Sequence, residues 1–132
     1  GGGRHVIEGL GFVRLEVGDL ARSLAFYLGG LSFERVGADA DEPVDGVATL
    51  RAGRLTLVLV QAPSSPGGRS NGDAARGRGV DLAMAVSGVD AYHDALVARG
   101  IAPAPPRDEG PTRAFEVVDP DGYRWRFVQS LA

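Results

Sequence analysis

The pattern of hydrophobic residues repeats once along the chain, and this repeat limits the possible folds more than any other feature. A strand pattern, a helix pattern and three further strand patterns occur twice in the same order. Val17 matches Val86 at an offset of 69 residues, and Gln61 matches Gln129 at an offset of 68. A unit of about 60 residues buries too little surface to be stable alone. We therefore expect the two units to pack against each other or against a second chain.

The first unit begins with residues 12–17, where alternating apolar and polar residues predict a half-buried strand. Asp19 is a suitable N-cap for a helix over 20–28, because Leu20, Leu24 and Leu28 form one apolar stripe. Gly29-Gly30 ends this helix. Three further strands are predicted over 31–36, 47–52 and 55–61.

The second unit has the same order of elements. A strand is predicted over 80–86, followed by a helix that begins at Ser87 or Gly88 and runs through Arg99. The remaining strands are predicted over 101–106, 114–118 and 123–129. Residues 119–122, with the sequence Asp-Pro-Asp-Gly, predict a tight hairpin turn. Proline fixes φ at the second position, and glycine accepts a positive φ at the fourth.

These patterns divide the chain into one domain with two modules. We expect a flexible tail over 1–9, a first βαβββ module over 10–62, a linker over 63–77 and a second βαβββ module over 78–132. The linker is predicted from its richness in proline, serine, glycine and arginine.

The composition excludes several classes of function. The chain has no cysteine, so disulfides, zinc–thiolate sites, iron–sulfur clusters and cysteine nucleophiles are absent. The net charge is −3 and no basic cluster is present, so no nucleic-acid partner is expected. No apolar run approaches the ~18 residues that span a membrane, and none resembles a signal peptide. We expect a cytoplasmic protein without a membrane partner.

In this order the motifs resemble the vicinal oxygen chelate superfamily, which includes glyoxalase I, extradiol dioxygenases, methylmalonyl-CoA epimerase and bleomycin-resistance proteins. The resemblance is carried by the sequences VGDLARSLAFY at 17–27, VDA at 89–91, ALVARG at 95–100 and DPDG at 119–122. It implies an α+β fold in which two βαβββ modules form a curved mixed sheet. The concave side of this sheet would be a ligand cup, and the helices would lie on the convex side.

The resemblance also indicates where a metal would bind. Metal-dependent members place His or Glu ligands at four equivalent positions, which correspond here to Phe12, Val58, Asp81 and Arg126. Phenylalanine and valine donate no ligand, and arginine is a permanent cation that repels a metal ion. We therefore expect no metal and no other cofactor, as in the bleomycin-resistance branch.

Strand parity predicts the side chains that line the cup, while the opposite parity carries the large apolar residues of the core. Asp81 and Arg126 are expected to face each other, either to recognise an anionic ligand or as a structural ion pair. Trp125 shares its parity with the core residues and is expected to be buried. The residues expected to bind the ligand are Phe12, Arg14, Val58, Asp81, Ala83, Arg124 and Arg126.

Two classes of function remain open. The shortage of histidine and of metal ligands favours a non-catalytic protein that binds a small molecule, such as an antibiotic, in a metal-free cup. The alternative is a diverged enzyme of the lyase, isomerase or dioxygenase type that uses Asp81, Glu16 or Glu116 on a small oxygenated substrate. The sequence does not identify a catalytic residue, and His93 is expected on the surface or core edge of the second helix.

The expected partner, apart from the small molecule, is a second copy of the chain. Members of the superfamily commonly build cups across a two-fold axis. Pairing of this kind also covers sheet edges that would otherwise be free. We therefore expect a homodimer.

Overall fold

A computed structural model of the chain describes residues 6–37, 46–63 and 76–131. Residues 1–5 of the predicted tail, which include His5, and residues 64–75 of the predicted linker lie outside this part. The elements of the first module are β1 (Val13–Val17), α1 (Leu20–Leu24), a π-helical segment (Ala25–Gly30), β2 (Glu34–Arg35), β3 (Val47–Ala52) and β4 (Leu55–Gln61). Those of the second are β5 (Asp81–Ala85), α2 (Val89–Ala98), β6 (Arg107–Glu109), β7 (Thr112–Val118) and β8 (Arg124–Ser130).

Each module forms its own four-stranded mixed sheet. The strand orders are β1-β4-β3-β2 and β5-β8-β7-β6, so the two sheets have the same arrangement. In each sheet the first strand runs parallel to the last strand, and the remaining pairs are antiparallel. The predicted α+β fold of two βαβββ modules is therefore confirmed. No helix in the described ranges is long and apolar enough to span a membrane.

A glutamine in the last strand of each module fixes the start of that module's helix. The backbone N–H of Leu20 donates to Gln61 Oε1 at 2.8 Å, and the N–H of Val89 donates to Gln129 Oε1 at 2.9 Å. These bonds satisfy N–H groups that have no partner inside the helix. Asp19 caps α1 as predicted, since its side chain accepts from the N–H of Arg22 at 3.2 Å.

Apolar residues of one strand parity form a core that both modules share. Trp125 is fully buried, as predicted from its parity. Its ring centroid lies 5.7 Å from that of Tyr27 and 5.4 Å from that of Phe33, both in the first module. The two sheets therefore stabilise each other through side chains that neither module could bury alone.

The predicted strand over 31–36 is shorter in the structure, where only Glu34–Arg35 pair with β3. Ser32 adopts a φ of 65°, which turns the chain directly after the π-helical segment. Leu31 and Phe33 are consequently both buried, whereas Ser32 between them is exposed. The helix predicted over 20–28 is continued to Gly30 by the π-helical segment.

The prediction of a strand over 101–106 is wrong, because pairing with β7 begins only at Arg107–Glu109. Pro103, Pro105 and Pro106 have no backbone N–H to donate to a neighbouring strand. The intervening Ala104 donates its N–H to the carbonyl of Glu116 at 2.9 Å. A single bond of this kind holds the segment against β7 without forming a strand.

The turn over 119–122 joins β7 to β8 as predicted, and we call it the acidic turn. Gly122 has a φ of 89° and donates its N–H to the carbonyl of Asp119 at 3.0 Å. A side chain at Gly77 would place its Cβ 2.1 Å from the carbonyl oxygen of Gly122, so this close approach requires glycine. Both aspartates of the turn are buried, which sequence patterns did not indicate.

The acidic turn binds the second module to the first. Asp121 accepts hydrogen bonds from the N–H of Gly18 at 2.8 Å and from Arg76 Nη1 at 3.2 Å. Asp119 accepts one from the hydroxyl of Tyr27 at 2.5 Å. Tyr123 donates its hydroxyl proton to the carbonyl of Glu16 at 2.9 Å. These contacts between distant parts of the chain hold the two sheets together.

Candidate functional site

One face of the second sheet, on the side opposite the core, carries most of the predicted site residues. The register places Asp81 beside Arg124 and Ala83 beside Arg126 across β5 and β8. On the other side of β8, Glu116 of β7 lies beside Arg126. We call this surface the charged face. Its residues are Asp81, Ala83, Glu109, Glu116, Arg124 and Arg126.

Arg126 lies at the centre of the charged face and is held by two carboxylates. Its Nη1 donates to Glu116 Oε1 at 2.8 Å, and its Nη2 donates to Glu109 Oε1. The hydrogen bond from Arg126 lowers the pKa of Glu109, and the same bond raises the pKa of Arg126. Glu109 therefore stays anionic and Arg126 stays cationic at neutral pH.

The expected pairing of Asp81 with Arg126 is wrong. Asp81 Oδ1 instead accepts from Arg124 Nε at 3.1 Å, and both side chains are more than half exposed. The parallel register explains the difference, because Arg124 lies directly beside Asp81 and Arg126 lies two residues further along β8. The charged face thus contains two neighbouring ion-pair groups.

A cavity of about 380 Å³ lies at the outer strands of the charged face. Small-molecule sites in proteins range over roughly 300–1,000 Å³, so the cavity has a suitable size for a small ligand. Arg126 is the one predicted ligand-binding residue that lines it. The described residues that line it are Ala104, Pro105, Arg107, Asp108, Glu109, Ala114, Phe115, Glu116 and Arg126.

The sequence did not indicate Arg107, Asp108 or Glu109 as site residues, because β6 was predicted six residues too early. Three prolines in the preceding segment are the signal that could have moved the strand to 107–109. Once β6 is correctly placed, its antiparallel register with β7 brings Arg107 beside Ala114.

The predicted site residues of the first module lie on the first sheet. Arg14 is paired with Val58 across β1 and β4, and Phe12 precedes β1 with 56% of its surface exposed. A second cavity of about 190 Å³ is lined by Arg14, Glu16 and Val60. Each of these two cavities is lined by residues of one module. The structure therefore does not bring Arg14 into the cavity that contains Arg126.

The four positions that correspond to metal ligands in the superfamily do not fit a divalent cation. Phe12 and Val58 carry no donor atoms, Asp81 is engaged by Arg124, and Arg126 is itself a cation. Within residues 6–37, 46–63 and 76–131, no three His, Asp or Glu side chains are grouped so that they could hold a metal ion.

His93 lies on α2, on the other side of the second sheet from Arg126. Its ring packs edge-on against Phe115 with the centroids 5.2 Å apart, and its Nδ1 lies 3.2 Å from Asp94 Oδ1. Phe115 belongs to the core, whereas the next residue, Glu116, belongs to the charged face. His93 is therefore a core-edge residue of the helix.

Several solved structures share this fold. A glyoxalase/bleomycin resistance protein/dioxygenase from Nocardioides is 23% identical, with a TM-score of 0.70 over 95% of this chain and 86% of that one. The fosfomycin resistance protein FosX from Mesorhizobium loti is 20% identical, with a TM-score of 0.64 over 94% of this chain and 93% of that one. FosX from Listeria monocytogenes is 20% identical, with a TM-score of 0.65 over 94% and 92%.

No curated protein sequence matches the chain. A family model does match it: the model of the Glyoxalase/Bleomycin resistance protein/Dioxygenase superfamily covers residues 9–127, which extend from before β1 into β8. The motifs at 17–27 and 119–122 lie within this match. The chain therefore belongs to the glyoxalase/bleomycin resistance protein/dioxygenase superfamily.

Proposed function

We propose that the protein binds a small polar organic molecule, without a metal ion, in the cavity of the charged face. The observation that supports this is the position of Arg126, which lines a cavity of about 380 Å³ while two carboxylates fix its guanidinium group. A guanidinium group has five N–H donors, and these two contacts use two of them. The remaining donors are available to a carboxylate or phenolate of the ligand.

The same carboxylates define a second property of the ligand. Glu109 and Glu116 each use one oxygen for Arg126, so their other oxygens can accept from a hydroxyl or ammonium group of the ligand. Ala104, Pro105 and Ala114 provide the apolar wall of the cavity. The favoured ligand therefore combines an anionic oxygen, hydrogen-bond donors and a small apolar part, as many antibiotics do.

The geometry favours binding over catalysis. Each carboxylate considered as a catalytic group is engaged by an arginine: Asp81 by Arg124 at 3.1 Å and Glu116 by Arg126 at 2.8 Å. Glu16 lies 3.7 Å from Arg76. A carboxylate acting as a general base must be free to take a proton from the substrate, and these ion pairs oppose that role.

We also propose that a second copy of the chain completes the ligand cup. The charged face is open on the side away from its own core, and Asp81 and Arg124 are more than half exposed there. β1 and β5 are edge strands of their sheets within the described residues. A two-fold pairing would cover such edges and could bring the first sheet of one chain over the second sheet of its partner.

The ligand can be identified from the protein as purified. Mass spectrometry of small molecules released on denaturation would reveal a co-purified compound. Thermal unfolding would then be followed with fosfomycin and with simple hydroxy-acids such as salicylate, since the fold neighbours include fosfomycin resistance proteins. A bound compound raises Tm as its concentration rises above Kd, and we expect its recovery unchanged. If the compound were recovered in a chemically altered form, the protein would be an enzyme instead.

A further inference from the structure

Because the modules repeat, there are two equivalent places in their junction where the turn before the last strand of one module faces the helix start of the other. We call these places corners, and a side chain fills one of them. At the filled corner, the carboxylate of Asp121 contacts the start of the first module's helix. It accepts from the N–H of Gly18 at 2.8 Å and from Ser23 Oγ at 3.4 Å. Asp121 is almost completely buried there.

The other corner has no corresponding side chain. The last strands are offset by 68 residues, so Gly53 in the turn between β3 and β4 takes the position of Asp121. The first strands of the two modules are offset by 69 residues, so Tyr92 takes the position of Ser23. A Cβ atom added at Gly53 would meet no atom within 4 Å. Where Asp121 fills its corner, Gly53 leaves space.

This space is a cavity of about 270 Å³ between the modules, which we call the junction crevice. It lies at the end of β5 and is bounded by both modules. The first module contributes Leu31, Ser32, Phe33, Ala52 and Gly53. The second contributes Met84, Ala85, Val86, Tyr92 and Phe127.

The lining of the junction crevice is uncharged and largely apolar. Among the described residues that line it there is no Asp, Glu, Arg or His, and three of them are aromatic: Phe33, Tyr92 and Phe127. The hydroxyl of Tyr92 already donates to the carbonyl of Leu31 at 2.7 Å. Burial raises the pKa of Tyr92 to about 12, so the phenol stays neutral. A charged molecule would lose its hydration here without gaining a partner.

We propose that the junction crevice binds a small uncharged aromatic molecule of one or two rings. An apolar protein cavity of about 150 Å³ can bind benzene, so about 270 Å³ is enough for a bicyclic compound. This site is separate from the cavity of the charged face and does not depend on the function proposed for that face. An occupant would contact both modules and would therefore stabilise their packing.

Met84 provides a direct probe, because it lines the crevice and is the single methionine of the sequence. Protein labelled with ¹³C at the methionine methyl group should be titrated with indole, a neutral two-ring compound. We expect a saturable shift of the Met84 methyl signal from the ring current of bound indole. Indole-3-carboxylate is the matched charged compound, and we expect it to bind at least tenfold more weakly.

Two alanine-to-leucine variants distinguish binding of indole in the crevice from binding at the charged face. Ala52→Leu places a larger side chain in the crevice and should weaken indole binding at least tenfold, whereas Ala83→Leu on the charged face should leave it unchanged. Circular dichroism would verify folding, and Ala85→Leu replaces Ala52→Leu if the latter unfolds. The proposal is wrong if millimolar indole leaves the Met84 signal unmoved, or if the crevice variant binds indole as tightly as the wild type. It is equally wrong if the carboxylate binds as well as indole.

Discussion

The hydroxyl of Tyr27 in the first module donates a hydrogen bond to the carboxylate of Asp119 in the second module at 2.5 Å. The same hydroxyl accepts from Trp125 Nε1 at 2.9 Å. All three side chains are buried. Removal of one member leaves the others buried without a partner, which is more destabilising than the loss of an exposed hydrogen bond.

Tyr27→Phe should therefore lower the free energy of unfolding by about 1–3 kcal/mol, as measured by urea denaturation. The matched control is Tyr92→Phe, because its hydroxyl bonds to the carbonyl of Leu31 in a partly buried position. We expect a smaller loss for the control. Equal losses would show that the Tyr27 network has no special role in joining the modules.

The stability of the protein should depend on the protonation of Asp119. Burial raises the pKa of Asp119 above its ordinary value of 3.8, and the nearby Asp121 carboxylate acts in the same direction. The folded state thus binds this proton more tightly than the unfolded state. The resulting stabilisation is complete below pH 3.8 and is lost as the pH rises through the folded-state pKa.

Asp119→Asn is the test, since asparagine is neutral at every pH and has the same shape. Urea unfolding of both proteins from about pH 4 to about pH 7 should show the wild type losing stability relative to the variant as the pH rises. Other groups titrate in both proteins and cancel in the difference. A difference that does not change with pH would contradict the prediction.

The fold was predictable because its pattern occurs twice. Alternation over 12–17 and 80–86 and the stripe of leucines in the first helix indicated the elements. The alternation also distinguished the core face, which contains Trp125, from the charged face. It failed at 31–36, where Ser32 turns the chain, and at 101–106, where prolines prevent pairing. In both segments, backbone constraints outweighed the apolar pattern.

Arg126→Ala should weaken binding of the ligand of the charged face by about tenfold or more, because it removes a charge-assisted hydrogen bond inside the cavity. The affinity of Arg126→Lys for the ligand should lie between those of Arg126→Ala and the wild type, since lysine keeps the charge without the planar pair of donors. His93→Ala, on the other side of the sheet, should change binding little. Isothermal titration would give the three affinities, and equal effects of Arg126→Ala and His93→Ala would refute the assignment of the charged face.

Protein prepared without chelator should contain far less than one equivalent of zinc, nickel or manganese. A cation bound at Asp81 would have to displace Arg124, which lies 3.1 Å away, and no imidazole would compensate. Elemental analysis followed by titration with each metal measures this. If the protein bound nearly one equivalent of metal and Asp81→Ala did not, we would conclude that it is a metal-dependent member of the superfamily.

Light scattering at micromolar concentration should give twice the chain mass of 13.7 kDa. Large apolar side chains such as Phe12 and Val118 are more than half exposed in the single chain, and β1 and β5 are edge strands of the described sheets. Burial of these features provides the driving force for pairing. A mass of one chain would contradict the proposal that a second copy completes the cup.

The candidate site was less predictable than the fold. Parity places Arg126 on the face opposite the core, but it does not give the registers that pair Asp81 with Arg124 and Glu116 with Arg126. Glu109 depends on where β6 begins, which local patterns placed too early. The burial of the acidic turn depends on partners such as Tyr27, 92 residues away from Asp119. Contacts at that separation are set by the packing of the modules.

The acidic turn also makes the two halves of the internal repeat non-interchangeable. In a chain built from two second modules, each turn would meet Tyr92 and Leu96 where it now meets Ser23 and Tyr27. A buried carboxylate would then lose the hydroxyl of Tyr27. A chain built from two first modules would have Gly53 in both turns and no carboxylate to bind either helix start. Each half carries the contacts that fit the other, so neither module can take the place of its counterpart.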